Sequence, residues 1–430
     1  MISSSTLPKK HPKEMVLLAI VEMCQRFAFW GIADLLALYL VQYHSMSESK
    51  ADQIFGIFTG VAFLLPLFGG YIADRWNYKE PIVLGSIFTA IGCFLVAIGN
   101  LSLIYLALFF VAIGGSMFTP SIYALLGHVY KDRHHLREAG FSIYYASVNI
   151  GIFAAMIILG ALGNMGYWSI AFTIAGMIQL IGLIPLYKAV QMKSLQEMTN
   201  AHRFTLSLKV IKEPLSKKEK NRIAVICILS LVSIVFWLSF NQCGSSMTFL
   251  ALDYTDRHIG AFEIPPSWLL AFENLYVVLL ALPLASLYLF LAKKKKDPSP
   301  PMKTAFSLIS VAICFMILMV GTMEIPESHL ISPWYLITSY FFIALGEMLL
   351  APIGLSLVTH LSPPRFTAFL VGFWYLCIGF AFYGGGVLAS LMSLFQDLDY
   401  FFLIFVILTG AAAIFLILAS KKLNKMRHLE

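Results

Sequence analysis

Twelve apolar runs, each long enough to cross a bilayer, follow one another along the 430 residues: 15–43, 52–74, 80–99, 101–130, 138–162, 166–188, 223–252, 268–292, 303–323, 333–361, 366–394 and 398–420. About twenty predominantly apolar residues suffice for one helical crossing. Polar residues gather in the short gaps and in one longer stretch, 189–222, which is rich in lysine and holds no spanning run. The pattern predicts an all-α polytopic membrane protein: a six-helix bundle over 1–188, a cytoplasmic linker over 189–222 and a second six-helix bundle over 223–430. Prolines recur inside the runs, as at Pro66, Pro120 and Pro352. A membrane helix tolerates them, either as packing kinks or as kinks beside a pathway.

Composition agrees with the pattern. The chain is 59% hydrophobic and only 12% charged, with mean hydropathy +0.81, whereas a soluble domain carries about 25% charged residues. The net charge of +7 points to the bilayer, not to nucleic acid. If the N-terminus is cytoplasmic and the runs alternate, 27 of the 30 Lys and Arg fall in inside loops and tails. Lys50 and Arg257 fall outside, and Arg26 falls within the membrane. Such an asymmetry sets orientation with both termini inside. The lysine run 293–296 then serves topology or anionic lipid. The N-terminal apolar run is too long for a signal sequence and lacks a small-residue cleavage site, so it reads as an uncleaved first helix. Six cysteines lie in apolar stretches without C-x-x-C spacing, which indicates neither a disulfide framework nor a zinc site.

Ionisable residues at membrane depth are costly, so they face a bundle interior or a wet cavity. The first run carries EMCQRFAFWG at 22–31, with Glu22 and Arg26 four residues apart on one helical face and Gln25 and Phe29 beside them. This pair is either a self-satisfied lock on the first helix or part of a solute pathway. Asp34 follows about 120° round the same helix. Asn149, Asn241, Gln242, Glu273 and Glu347 add polar groups in later runs, and the acids outnumber the cation. A carboxylate in a low-dielectric site holds protons more readily, so these acids are natural proton carriers. The histidines sit at loops and helix ends without metal-ligand spacing. No G-x-S-x-G, H-E-x-x-H or phosphate-binding glycine loop occurs, so the chain does not read as an enzyme.

The run GGYIADR at 69–75 resembles the G-x-x-x-D-R loop of the major facilitator superfamily, with Gly70, Asp74 and Arg75 in place. Four more segments resemble the proton-dependent oligopeptide transporter branch. EMCQRFAFWG is similar to E-x-x-E-R-F-x-Y-Y-G, GFSIYYASVNIG to G-F-S-I-F-Y-x-x-I-N-L-G, FWLSFNQCGSSM to F-W-x-x-F-E-Q-x-G-S-S, and GEMLLAPIGLS to G-E-x-x-x-S-P-x-G-L-S. GFWYL adds Trp374 at the place of a pocket tryptophan.

The resemblance implies the major facilitator fold and proton-coupled uptake of di- or tripeptides, or peptide-like solutes, by alternating access. It implies a solute site of Arg26, Phe29, Trp30, Asn149, Asn241, Gln242, Glu273, Glu347 and Trp374, with Glu347 taking the peptide amine. Glu22 and Glu347 would carry coupling protons, and Asp74 and Arg75 would act as a gate. It implies no cofactor beyond the proton, a small-molecule solute and the lipid bilayer as partners, a monomer, and a multi-pass protein of the plasma membrane, as in a bacterial inner membrane.

The departures fall in the expected pocket. Gln25 replaces a Glu, Thr119 a Lys, Ala33 an Arg, Asn241 a Glu and Glu273 an Asn, while Phe29, Trp30 and Phe63 replace tyrosines. The remaining balance is acidic, which leaves open a cationic or other non-peptide solute, or an exporter or uniporter that has lost proton coupling.

Overall fold

A computed structural model describes residues 11–66, 68–69, 78–130, 134–200, 214–323, 330–363, 367–395 and 397–427, which are helical almost throughout. In chain order the helices are α1 (Lys13–Ala33), α2 (Leu36–Gln42), α3 (Glu48–Leu64), α4 (Lys79–Ala97), α5 (Ile104–Val129), α6 (His134–Asn164), α7 (Trp168–Ile181), α8 (Leu183–Val190) and α9 (Lys193–Asn200). They continue with α10 (Lys217–Phe240), α11 (Ser246–Asp253), α12 (Pro266–Lys293), α13 (Pro300–Met323), α14 (Pro333–Leu361), α15 (Thr367–Ala389) and α16 (Leu398–Arg427). A two-residue hairpin, β1 (His258–Ile259) with antiparallel β2 (Phe262–Glu263), fills the loop before α12.

Eleven helical stretches among the described residues are long and apolar enough to cross a membrane. The twelfth expected run, 52–74, is represented by the 17-residue α3. That helix starts ahead of the apolar run because the Ser47 carbonyl already accepts from the backbone amides of Lys50 and Ala51. The polar stretch 189–222 contains the short α9 and the start of α10. There Ser216 and Glu219 form a reciprocal capping box that satisfies two otherwise orphan amides.

Two spans are interrupted. The first breaks at Asp34 and Leu35, which form a turn between α1 and α2. The seventh tightens into a 3-10 turn over Asn241–Gly244 before α11. Freed carbonyls at the second break find side chains: the Ser245 hydroxyl donates to Asn241 O at 3.1 Å and Thr248 to Cys243 O at 2.7 Å. Such local partners make a break tolerable where no water reaches the backbone.

By contact the chain divides into two compact units, Met1–Ala33 with Leu65–Ser207, and Asp34–Leu64 with Leu208–Glu430. This grouping departs from the expected division in chain order, because residues 34–64 pack with the second unit. In the first unit α1 packs on α6 and α7. Gly151 brings the α6 backbone so close to Met23 that an added Cβ would lie 2.5 Å from its carbonyl oxygen. A core of Leu18, Val21, Phe118, Leu125, Tyr144 and Leu186 lies between these elements.

In the second unit α3 lies against α15, α13 against α14 and α16, and α12 against α14. Helices in lipid gain nothing from excluding water from one another, so small residues that let backbones approach carry much of the packing. Gly56 and Gly60 of α3 meet Gly386 and Gly379 of α15 in that way. A Cβ on Gly56 would stand 2.6 Å from the Gly386 Cα, and one on Gly60 would stand 3.2 Å from the Gly379 carbonyl oxygen. Phe63 stacks on Phe382 at 4.5 Å at the end of the same seam.

Candidate functional site

The expected site residues separate into two groups, one in each unit. In the first unit the i, i+4 spacing on α1 brings Glu22 and Arg26 together, and Arg26 Nε donates to Glu22 Oε1 at 2.7 Å. The other carboxylate oxygen accepts from the Tyr144 hydroxyl of α6 at 2.8 Å. Glu22 is fully buried, and both of its oxygens are engaged. Arg26 Nη2 reaches the Thr119 hydroxyl of α5 at 3.5 Å. Tyr123 packs edge-on to Tyr144, with ring centroids 5.5 Å apart. The geometry is that of a closed, net-neutral ion pair.

Around this pair, Phe29 and Trp30 sit edge to face at 5.6 Å. A Cβ on Gly115 of α5 would come within 3.0 Å of the Phe29 ring. Gln25 is buried beside them, and neither its amide nitrogen nor its oxygen has a partner. Asn149 is buried and returns its amide to the Tyr145 carbonyl one turn earlier, at 3.1 Å.

In the second unit the two helix breaks come together. Asp34, in the turn after α1, places Oδ1 where a Cβ on Gly244 would lie 3.4 Å away. Glu273 of α12 and Glu347 of α14 are hydrogen-bonded to each other, with Asp34 within electrostatic range. Glu273 is 4% exposed and its Oε1 has no partner, while Glu347 is only partly buried. Tyr340 stands seven residues before Glu347, on the same face of α14. Its hydroxyl is buried, lacks a partner, and lies within electrostatic range of Glu273, Asp34, Cys243 and Cys314.

The two amides of the second break differ. Gln242 makes three hydrogen bonds: its nitrogen donates to Leu238 O and Gly385 O, both at 3.1 Å, and its oxygen accepts from the Ser246 hydroxyl at 2.7 Å. It braces the break, with both of its N–H groups committed to backbone carbonyls. Asn241 donates to the Thr59 hydroxyl at 3.4 Å and keeps its oxygen unpartnered. Trp374 of α15 is buried, with its indole over Gly354 of α14, where a Cβ would lie 2.3 Å from the ring. Asp74 and Arg75, the expected gate, lie outside the described residues. Among the described residues no three His, Cys, Asp or Glu are placed to hold a metal ion.

The sequence model of the POT family matches residues 79–201 and 185–403. The chain belongs to the POT family. POT family relatives match along nearly the whole length. The peptide transporter YePEPT of Yersinia enterocolitica is 28% identical over 96% of this chain and 95% of its own. Dipeptide and tripeptide permease B of Salmonella typhimurium is 26% identical over 90% and 88%. A crystal structure of a peptide transporter POT in complex with sulfate superposes with a TM-score of 0.87 at 21% identity, covering 98% of each chain. Another, of a POT family transporter in complex with 5-aminolevulinic acid, gives 0.85 at 19% identity over 97% and 99%. The fold is therefore that of the major facilitator superfamily, and the chain is a multi-pass membrane transporter, not an enzyme.

The departures from the POT family motifs now have local reasons. Thr119, where the motif carries Lys, lies against Arg26, so a second cation there would face the first. Ala33, in place of Arg, is fully buried at the end of α1. Phe63, in place of Tyr, makes an apolar stack with Phe382. Two partners escaped the reading of the sequence: Tyr144, which lies within the quoted GFSIYYASVNIG motif, and Tyr340, which carries no motif at all.

Proposed function

We propose that this chain is a secondary active transporter that takes up di- and tripeptides or peptide-like solutes with protons, by alternating access. The observation that carries the reading is the carboxylate cluster of the second unit. Glu347 is partly exposed and set beside Glu273 and Asp34, a site suited to a peptide ammonium group. Near-full-length similarity to peptide permeases supports the same solute class. Arg26 serves the carboxyl end weakly, because its charge is already committed to Glu22. Phe29, Trp30, Asn149, Asn241 and Trp374 complete the solute site, and Asp74 with Arg75 acts as a gate. The proton is the coupling ion, with no further cofactor. The protein works as a monomer in the plasma membrane, with both termini in the cytoplasm, an orientation supported by the lysine and arginine asymmetry.

The test uses four forms of Ala-Ala: free, N-acetylated, C-amidated and doubly blocked. Each is assayed by thermal stabilisation of the purified protein, since a ligand of the folded state raises stability by mass action. Hydrogen bonds to charged groups contribute about 1.5–3 kcal/mol, so acetylation is expected to weaken binding about ten- to a hundredfold. Amidation should do much less. If none of the four forms stabilises the protein, peptide recognition is wrong.

The excess of acid over free cation favours a second reading, a cationic solute such as a polyamine. Stabilisation by spermidine together with indifference to all four peptides would select it.

A further inference from the structure

Glu273 does not fit a role as a plain solute contact. It is 4% exposed, bonded to another carboxyl, and one of its oxygens has no partner. An ionised carboxylate only accepts hydrogen bonds, so a bond between two carboxyl groups requires that one of them hold a proton. The titratable groups within electrostatic range of Glu273 are Glu347 and Tyr340 from α14, Cys243 from the α10–α11 break and Asp34 from the α1–α2 turn. None of these is a cation. The Tyr340 hydroxyl, buried and unpartnered, lies within electrostatic range of the same cluster. The arrangement does not suit a metal ion: no three acids, histidines or cysteines among the described residues converge on one point. Two interrupted helices meet here, which is how membrane carriers commonly build sites for a coupling ion.

We propose that Glu273 is the residue that carries the coupling proton, donating it in a hydrogen bond to Glu347 and so leaving Glu347 as the single carboxylate presented to a solute amine. The neutral form falls to Glu273 because it is the more deeply buried of the two, and the charge falls to Glu347, which is nearer water. On loading, hydronium gives its proton to the Glu273 carboxylate and leaves as water. On release the acid returns the proton to water. No bond other than O–H is made or broken. Loss of the proton would set two carboxylates side by side, so the loaded state requires it. Glu22 has no such freedom, since Arg26 and Tyr144 occupy both of its oxygens. The inference rests on the proposed transport function for its coupling role, but not for the proton itself.

The test therefore has two arms on the full chain in lipid vesicles. In the first, infrared spectra near neutral pH are compared for wild type and Glu273→Gln. One component of the protonated carboxyl stretching band, present in wild type and missing in the variant, is expected, and identical spectra would overturn the assignment. In the second arm, an inward proton gradient drives labelled Ala-Ala. The variant is expected to lose accumulation above the bath concentration while the dipeptide still exchanges. Retained accumulation in a variant that lacks that component would make the proton structural and overturn the coupling role. Should wild-type vesicles move no Ala-Ala, the peptide reading falls, and the infrared arm still decides where the proton is. If Glu273→Gln does not fold, Glu347→Gln removes the acceptor instead. The band must then shift, and an unchanged band overturns the pair.

Discussion

Each unit buries a polar cluster at membrane depth, and the two are built on opposite principles. In the first unit Glu22 has a cation and a hydroxyl for its two oxygens, and Arg26 spans the carboxylate and Thr119. In the second unit Glu273 lies beside Glu347 and near Asp34, all three acids, and both the Tyr340 hydroxyl and one Glu273 oxygen are unpartnered. A buried charge whose partner is built in contributes to structure, and removing the partner strands it. On the proposed function, a buried acid without one is completed from outside, by a proton or by a solute. The difference teaches which of two superficially similar sets of intramembrane acids is available for exchange.

The comparison breaks most readily at Arg26. Arg26→Met leaves the Glu22 carboxylate buried without its cation, and should destabilise by about 3–5 kcal/mol, read as the unfolding midpoint in detergent. Adding Glu22→Gln should recover most of that loss. An equal loss from Glu273→Gln alone would show that the second cluster is as structural as the first.

Two tyrosines sharpen the contrast with a single oxygen each. Tyr144→Phe deletes a hydroxyl that donates to a charged carboxylate and should cost about 1.5–3 kcal/mol. Tyr340→Phe deletes a hydroxyl that has no partner. It should leave stability unchanged or raise it by up to about 1 kcal/mol. The same assay reads both, and effects of the same sign and size would erase the distinction.

The smallest effect lies at another end of the second unit, where Glu48 opens α3 ahead of the apolar run. Burial, then the hydrogen bond and charge of Asp253, push the Glu48 carboxyl from its ordinary 4.5 up to about 7. The folded state thus holds a proton that the unfolded chain has released. Its stabilising contribution is complete below the ordinary value and is lost as pH rises through about 7. The unfolding midpoint should fall across that window in wild type, and the slope should be shallower in Glu48→Gln. Glu48 is about half buried, which keeps the effect small.

Hydropathy alone placed the spans, because a bilayer-length apolar run has few alternatives to a helix. The breaks were not legible, since residues on either side of Asp34 and of Asn241–Gly244 remain apolar or small. That blindness misplaced Asp34. A helical wheel extended through it put the residue about 120° round the helix from Glu22, but α1 stops at Ala33 and the side chain lies against Gly244 instead.

Gln242 read as a solute contact from its motif, yet its hydrogen bonds to Leu238, Gly385 and Ser246 are tertiary and local facts that no motif carries. The meeting of Glu273 with Glu347 joins positions 74 residues apart. The sequence offered only their shared oddity as acids in apolar surroundings. Asp52, fully buried with an unpartnered oxygen, was not singled out because it coincides with the edge of an apolar run.

The glycine seam of α3 and α15 has a thermal consequence. Gly56 and Gly386 touch backbone to backbone, and Gly60 and Gly379 meet beside Tyr383 and Leu64, so few rotamers freeze when the seam forms and few are released if it parts. The joint between these two helices should therefore gain little side-chain freedom by parting, and so hold nearly as tightly in a warm membrane as in a cold one.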